Sequence, residues 1–248
     1  MPAITIDSKA IEVEAGTTIL SAASALGIEI PTFCFHEELS IVANCRMCLV
    51  EVKGWPKPMP ACHTVVTDGM EIFTKSELAC AAQEGTLELM LLNHPIDCPI
   101  CDQAGECALQ DHFHKYSTRP SRINVPKVAK AKALVMGQNV IHDAERCINC
   151  TTCVRFVEEI SGSYQLTQVQ RAEKTEIALA LNTELDDPYS MTVVDLCPVG
   201  AMTSRDFRFK ERVWMMDTKS TICPECATGC NVYVDYSKGL VRRIRPKQ

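Results

Sequence analysis

All but one of the 15 cysteines in this 248-residue sequence fall into four groups with short internal spacings. Thiolates so close together are ligands for zinc or for iron–sulfur clusters. The first group is Cys34-x10-Cys45-x2-Cys48-x13-Cys62. A loop cysteine, a tight pair and a distant fourth is an order that suits thiolates wrapped around a 2Fe–2S cluster. A lone C-x2-C would equally suit a zinc knuckle, so zinc or free thiols are the alternative here. The second group is His94-x3-Cys98-x2-Cys101-x5-Cys107. Three thiols leave a four-ligand site one short, and the nearest donor is His94. Most lone histidines are structural, but this one stands beside an incomplete set. A neutral imidazole replacing a thiolate removes one negative charge and raises a cluster's potential. It binds only while unprotonated, so this site is expected to be the acid-sensitive one.

The third group, Cys147-x2-Cys150-x2-Cys153 with Cys197-Pro198 downstream, has the most specific spacing in the chain. Three sulfurs within seven residues fold around a 4Fe–4S cubane, and a distant Cys-Pro cysteine completes the set. A zinc site would more naturally show paired C-x2-C motifs. The fourth group, Cys223-x2-Cys226-x3-Cys230, again offers three thiols, and no cysteine follows before Gln248. Its last ligand is expected beyond this chain, or the site is unfilled. Cys80 belongs to no group and is expected as a small buried hydrophobe on a helix. His36, His63, His112, His114 and His142 have no incomplete cysteine set beside them and are read as structural or surface residues.

These ligands need a scaffold, and the pattern supplies one. Ile4 and Ile6, then Ile11 and Val13, alternate as a hairpin around Asp7-Ser8-Lys9. Thr17 or Thr18 caps a short helix carrying Ile19, Leu20, Ala23 and Leu26, which Gly27 stops. Hairpin then helix opens a β-grasp, which favours 2Fe–2S for the first group. A strand at Leu49–Lys53 and the Gly54-Trp55-Pro56-Lys57-Pro58 turn follow, with Cys62 arriving on the returning strand. Residues 76–92 read as a helix capped by Ser76, with Leu87, Met90 and Leu91 inward and Pro95 closing it. Its end delivers Asn93-His94 to the second group. A polar, Pro-containing connector spans 117–135. A helix after Cys153 is expected to bury Val154, Val157 and Ile160 and to end at Gly162. Strands and loops occupy 165–194, and a last compact unit starts near Ser220.

Composition narrows the function. Hydrophobic content is 46% and charged content 23%, ordinary for a globular chain. The cysteine count is odd, which full intramolecular disulfide pairing could not satisfy. No secretory or transit pattern opens the sequence, so clustered thiols in a reducing compartment read as metal ligands. No apolar run reaches the ~18–20 residues of a membrane span. A net charge of −6 weighs against nucleic acid as the partner. Basic residues gather at Arg119, Arg122, Lys127, Lys130 and Lys132, and at Arg242, Arg243, Arg245 and Lys247. They are read as solvated surface, with a docking face for an acidic partner as the sharper alternative. There is no G-x-G-x-x-G fingerprint or P-loop, so nucleotide binding belongs to a partner.

In succession these motifs resemble the N-terminal part of the large iron–sulfur subunit of respiratory complex I, the NADH:quinone oxidoreductase. The stretches that carry the resemblance are Cys45-Arg-Met-Cys48-Leu-Val, Asn93-His94-Pro-Ile-Asp-Cys98-Pro-Ile-Cys101-Asp-Gln-Ala-Gly105-Glu-Cys107 and Leu109-Gln110-Asp111. Glu145-Arg-Cys147-Ile-Asn-Cys150-Thr-Thr-Cys153-Val-Arg155-Phe156 and Val194-Asp-Leu-Cys197-Pro198-Val-Gly200-Ala201 continue it. It covers essentially the whole chain. Ala104, where the family commonly has glycine, and Thr152, where a basic residue is common, lie beside ligands rather than on them.

The resemblance implies an α+β fold: an N-terminal β-grasp 2Fe–2S ferredoxin-like domain followed by small, loop-rich 4Fe–4S ferredoxin-like domains. The expected division is 1–78, 79–118, 119–218 and 219–248, the last the incomplete start of a molybdopterin-oxidoreductase-type domain. Cys34, Cys45, Cys48 and Cys62 are implied on 2Fe–2S. His94, Cys98, Cys101 and Cys107 are implied on one 4Fe–4S, and Cys147, Cys150, Cys153 and Cys197 on another. Cys223, Cys226 and Cys230 match the start of a further 4Fe–4S site whose last ligand is missing, so a truncated or split form is expected, or a sequence whose remainder is not included. The implied role is relay of single electrons from a flavin, NADH-binding subunit through the clusters towards quinone, with no substrate-transforming site in this chain. Implied partners are that subunit, other iron–sulfur subunits and, indirectly, a membrane arm. The implied location is the cytoplasmic side of a bacterial membrane. Soluble NAD-linked hydrogenase or formate dehydrogenase relays are the alternative, and a zinc-stapled interaction module is the rival from another class.

Overall fold

The computed structural model describes residues 1–117, 120–122 and 124–247. It divides into two compact units: Met1–Asn93 with Asp111–Lys127 and Asn149–Thr152, and His94–Gln110 with Val128–Ile148 and Cys153–Gln248.

In the first unit, β1 (Ala3–Ile6) and β2 (Lys9–Glu12) form the expected hairpin. Its turn residues Asp7 and Ser8 both adopt positive φ, 46° and 69°. That is the signature of a two-residue type I′ turn, whose twist matches the strands it joins. Helix α1 (Ile19–Ala25) starts at Thr18, whose hydroxyl accepts from the Ser21 amide at 3.2 Å. Strands β3 (Leu49–Val52), β4 (Met59–Pro60) and β5 (Glu71–Phe73) complete a sheet in the order β2-β1-β5-β3-β4. Only β1 and β5 are parallel; the other pairs are antiparallel. Ile19, Leu20, Ala22 and Ala23 of α1 join Ile4, Ile6, Val50, Val52 and Ile72 in one core, which also holds Cys48 and Cys62. The β-grasp expectation holds, with one local difference: Cys62 lies in a turn just beyond β4, not on the strand itself.

Helix α2 (Glu77–Leu91) is capped by Ser76 as expected. Its buried face differs from the apolar stripe read from the sequence. Ala79, Gln83, Thr86 and Leu87 are buried, whereas Met90 and Leu91 are only half-buried. Cys80 is exposed, not a core residue, because it lies in the first turn of α2, at the end of the helix.

Helix α3 (Ala108–Tyr116) follows the second cysteine group. In the second unit, β6 (Leu134–Val135), β7 (Val140–His142) and a strand from Met202 to Ser204 form a three-stranded sheet. Helix α4 (Thr152–Glu159) buries Val154, Phe156 and Val157, but Ile160 falls beyond its last turn and is 55% exposed. β8 (Leu166–Val169) and β9 (Glu176–Leu179) pair as a hairpin, and α5 (Thr192–Leu196) leads into Cys197-Pro198. The Met202–Ser204 strand is β10. A final antiparallel sheet joins β11 (Asp217–Ile222), β12 (Asn231–Ser237) and β13 (Leu240–Pro246), starting close to the expected Ser220.

Several side chains of the basic clusters reach partners within the chain. Arg122 pairs with Glu88, Lys127 donates to the Leu91 and Leu92 carbonyls, and Lys132 contacts Asp97, Asp143 and Glu145. Arg243 and Arg245 converge on the buried Asp235, and Arg243 also pairs with Glu106. The solvated reading holds for Arg122, Lys127, Lys132 and Lys247, which are exposed, whereas Arg242, Arg243 and Arg245 are half-buried; Arg119 lies outside the described residues. No described helix is long and apolar enough to cross a membrane.

Ile72 sits on β5, the middle strand of the first sheet, and is 1% exposed. Ile72→Ala is expected to cost about 2–5 kcal/mol of stability, read as a lower unfolding midpoint in urea.

Candidate functional site

Cys34, Cys45, Cys48 and Cys62 are all buried, and their thiols interact with one another. They fall into two hydrogen-bonded pairs. The Cys34 thiol holds Cys45 down to about 6 and is itself pushed well up by that neighbour. Cys48 is likewise lowered by Cys62, whose own thiol is driven up. Backbone amides of Met47, Cys34 and Phe33 also point at the Cys45 sulfur. Positive φ at Ala43 (51°) and Arg46 (58°) curls the chain on either side of Cys45. Two pairs of sulfurs fit a 2Fe–2S rhomb, in which each iron takes two thiolates.

The buried polar face of α2 explains how the tight pair is held. Gln83 Nε2 donates to the Leu49 carbonyl at 3.0 Å, and Thr86 Oγ1 donates to the Arg46 carbonyl at 3.3 Å. The helix therefore grips the Cys45–Cys48 loop through its backbone. Sequence reasoning missed both residues, although their spacing with Ala79 and Leu87 puts all four on one helical face.

His94, Cys98, Cys101 and Cys107 all belong to the second unit. Cys98 begins a 3-10 turn (Cys98–Ile100), and Cys107 directly precedes α3. Burial pushes Cys107 up to about 11, while the Gln110 and Leu109 amides oppose it. These are first-turn N–H groups of α3, which have no partner within the helix and suit an anionic sulfur. Cys101 is also raised by burial, opposed by the Gln103 amide and the Arg146 charge. Both Cys98 and Cys101 act electrostatically on Cys107, so the three sulfurs are neighbours. His94 is half-buried, with its Nδ1 shut off from solvent.

Two features brace this group. Buried Arg146 makes a bidentate pair with Asp97, Nε to Oδ1 at 3.1 Å and Nη2 to Oδ2 at 2.7 Å, and contacts Asp143 at 3.4 Å. Gly200 runs so close to the Cys101 sulfur that an added Cβ would stand 2.4 Å from it. Pro198 in the same stretch accepts from the Ala108 amide at 3.0 Å.

Of the third group, Cys147, Cys153 and Cys197 pack into the apolar core of the second unit. Cys150 is buried in the intervening 149–152 stretch, where Asn149 and Thr151 take positive φ. The fourth group occupies the connection between β11 and β12, closed by a Cys223 amide to Cys230 carbonyl bond of 2.8 Å. Cys226 and Cys230 are exposed, and a hydrogen bond with the Thr228 side chain lowers Cys226.

Comparisons with known proteins agree with this geometry. Residues 2–77 match the family described as a 2Fe-2S iron-sulfur cluster binding domain. Residues 83–122 match the NADH-ubiquinone oxidoreductase-G iron-sulfur binding region, and 137–203 the ferredoxin-like domain of NADH-quinone oxidoreductase subunit 3. The chain is 43% identical over 98% of its length to the NADH-ubiquinone oxidoreductase 75 kDa subunit of Reclinomonas americana, covering 35% of that protein. It is 42% identical, again over 98%, to the mitochondrial NADH-ubiquinone oxidoreductase 78 kDa subunit of Neurospora crassa, covering 33% of it. It thus spans about a third of the length of these relatives. A chain of an NAD+-reducing [NiFe]-hydrogenase crystal structure aligns with TM-score 0.75 and 26% identity, covering 86% of this chain and 91% of that one. The matches identify a 2Fe–2S ferredoxin-like domain followed by 4Fe–4S ferredoxin-like regions.

Gly200→Ala forces its methyl group onto the Cys101 sulfur. The variant is expected to lose roughly one cluster's share of iron and acid-labile sulfide per chain, with the 2Fe–2S EPR signal unchanged. Wild-type iron and sulfide content in the variant would show that Cys101 carries no cluster.

Proposed function

We propose that this chain, which resembles the iron–sulfur part of the large peripheral-arm subunit of NADH:quinone oxidoreductase, relays single electrons between partner subunits. The observation that carries the reading is the succession of thiol groups, in which the buried Cys45, Cys101 and Cys107 sulfurs receive backbone amides. Bound iron–sulfur clusters supply one-electron storage at potentials that ligands, hydrogen bonds and burial adjust. The chain's residues hold that chemistry in position. In this reading Cys34, Cys45, Cys48 and Cys62 bind 2Fe–2S, and His94, Cys98, Cys101 and Cys107 bind 4Fe–4S. Cys147, Cys150, Cys153 and Cys197 bind a second 4Fe–4S, supported by their spacing and by the burial of Cys150 and Cys153. Cys223, Cys226 and Cys230 are three ligands of a further site, and the four segments divided at 78, 118 and 218 are its working domains.

Electrons enter from a flavin, NADH-binding subunit and leave through further iron–sulfur subunits towards a quinone-reducing membrane arm. The chain itself is peripheral, on the cytoplasmic side in a bacterium. Likeness to the NAD+-reducing hydrogenase favours one second reading, a relay within a soluble NAD-linked assembly. Copurification decides between them: a quinone-reactive membrane arm supports the first, and a soluble particle with nickel supports the second.

Anaerobic reduction with EPR at graded temperature and power tests the relay. One 2Fe–2S signal and at least two 4Fe–4S signals are expected; a single cluster type would sink the proposal. His94→Cys adds a thiolate's negative charge, and is expected to keep its cluster while lowering that cluster's midpoint in a redox titration. An unchanged titration would remove His94 from the ligand set.

A further inference from the structure

The loop that carries Cys150 ends in two threonines with different tasks. Thr151 Oγ1 donates to the Cys150 carbonyl at 2.7 Å. Thr152 is 3% exposed, and its Oγ1 donates to the Cys150 sulfur at 3.4 Å. A buried hydroxyl needs an acceptor for its proton, and here it points at a sulfur. Positive φ at Asn149 (53°) and Thr151 (62°) bends the stretch on both sides of Cys150. Thr152, the first residue of α4, thereby comes back over the sulfur two residues before it.

We infer that Thr152 is a positioning residue that raises the midpoint potential of the cluster ligated by Cys150, through its hydroxyl proton on that sulfur. The inference rests on the ligand reading above and goes beyond it by naming what sets one cluster's potential. Reduction adds one electron to the cluster and increases the negative charge carried by its thiolates. A donor at the sulfur is then held more strongly in the reduced state than in the oxidised one, which favours reduction. No bond to hydrogen breaks: the proton stays on the threonine oxygen, and the electron comes from dithionite in the test or from the flavin subunit in the assembly. A hydroxyl does not titrate near neutrality, so the effect is independent of pH.

The test is a potentiometric EPR titration of the full chain, purified anaerobically, at pH 6.5 and 8.5. The relevant signal is the one that Cys150→Ala removes. Thr152→Val keeps the shape and deletes the proton, while Thr152→Ser keeps the proton. At a fixed potential Thr152→Val is expected to lower the reduced-to-oxidised ratio about tenfold, equivalent to about 59 mV for one electron. Thr152→Ser is expected to titrate with the wild type, and both results are expected to be the same at the two pH values. A Thr152→Val curve that overlays the wild type overturns the inference, as does a Thr152→Ser curve displaced as far as that of Val. If Val loses the cluster by iron and sulfide analysis, Thr152→Ala is judged by the same criteria. Loss in both hydroxyl-free variants overturns tuning in favour of a purely structural role. If Cys150→Ala removes no signal, the ligand reading fails first and the inference falls with it.

Discussion

Burying sulfur that must carry negative charge is the constraint on which this structure depends. An isolated buried thiolate is unfavourable, and burial alone drives the Cys101 and Cys107 thiols upward. The chain opposes that drive with donors that cannot leave: backbone amides. Met47, Phe33 and Cys34 serve Cys45, Gln103 serves Cys101, and Leu109 and Gln110 serve Cys107. Amides inside regular helices or strands are already committed to their own ladders. The ligands accordingly sit in loops or at helix starts, where N–H groups are free to face a sulfur.

Loops that turn amides inward need backbone conformations most residues avoid. Ala43, Arg46, Asn149 and Thr151 all take positive φ beside proposed ligands. Only asparagine among them tolerates that region well, so surrounding contacts must hold it. For Arg46 the restraint is visible: Thr86 of α2 takes its carbonyl, while Gln83 takes that of Leu49. Replacing these two polar residues with apolar ones would pack as well and hold the loop less firmly. Gln83 serves the loop, and Thr86 shares its hydroxyl between the loop and the Ala82 carbonyl of its own helix at 2.9 Å.

Legibility in the sequence follows how local the signal is. The first hairpin, the Thr18 and Ser76 caps and the final sheet are readable because alternation and capping act over a few residues. The cysteine groups proposed as ligands stand out because cluster geometry imposes short spacings. The buried face of α2 escapes the apolar pattern because its decisive contacts are with a loop more than thirty residues away. Residue type alone points Cys80 to the core, and helical period does the same for Ile160, one residue past where α4 ends. The basic residues around 122–132 are surface residues as read, and what the sequence does not show is which carboxylates and carbonyls they reach. No composition argument finds Asp235 beneath Arg243 and Arg245.

A relay needs sites whose separations do not drift, and the second unit ties its ligand loops directly to one another. Arg146 stands next to Cys147 yet pairs with Asp97, next to Cys98. Three residues after Cys197, Gly200 abuts the Cys101 sulfur, and Pro198 holds the amide that follows Cys107. The Arg146 pair is nearly water-free on the arginine side, so breaking it would leave a buried charge and cost about 3–5 kcal/mol. Such ties would hinder an enzyme that must open around a substrate. They suit the proposed relay of electrons, because nothing would have to enter, turn or leave, and rigidity would oppose no step of it.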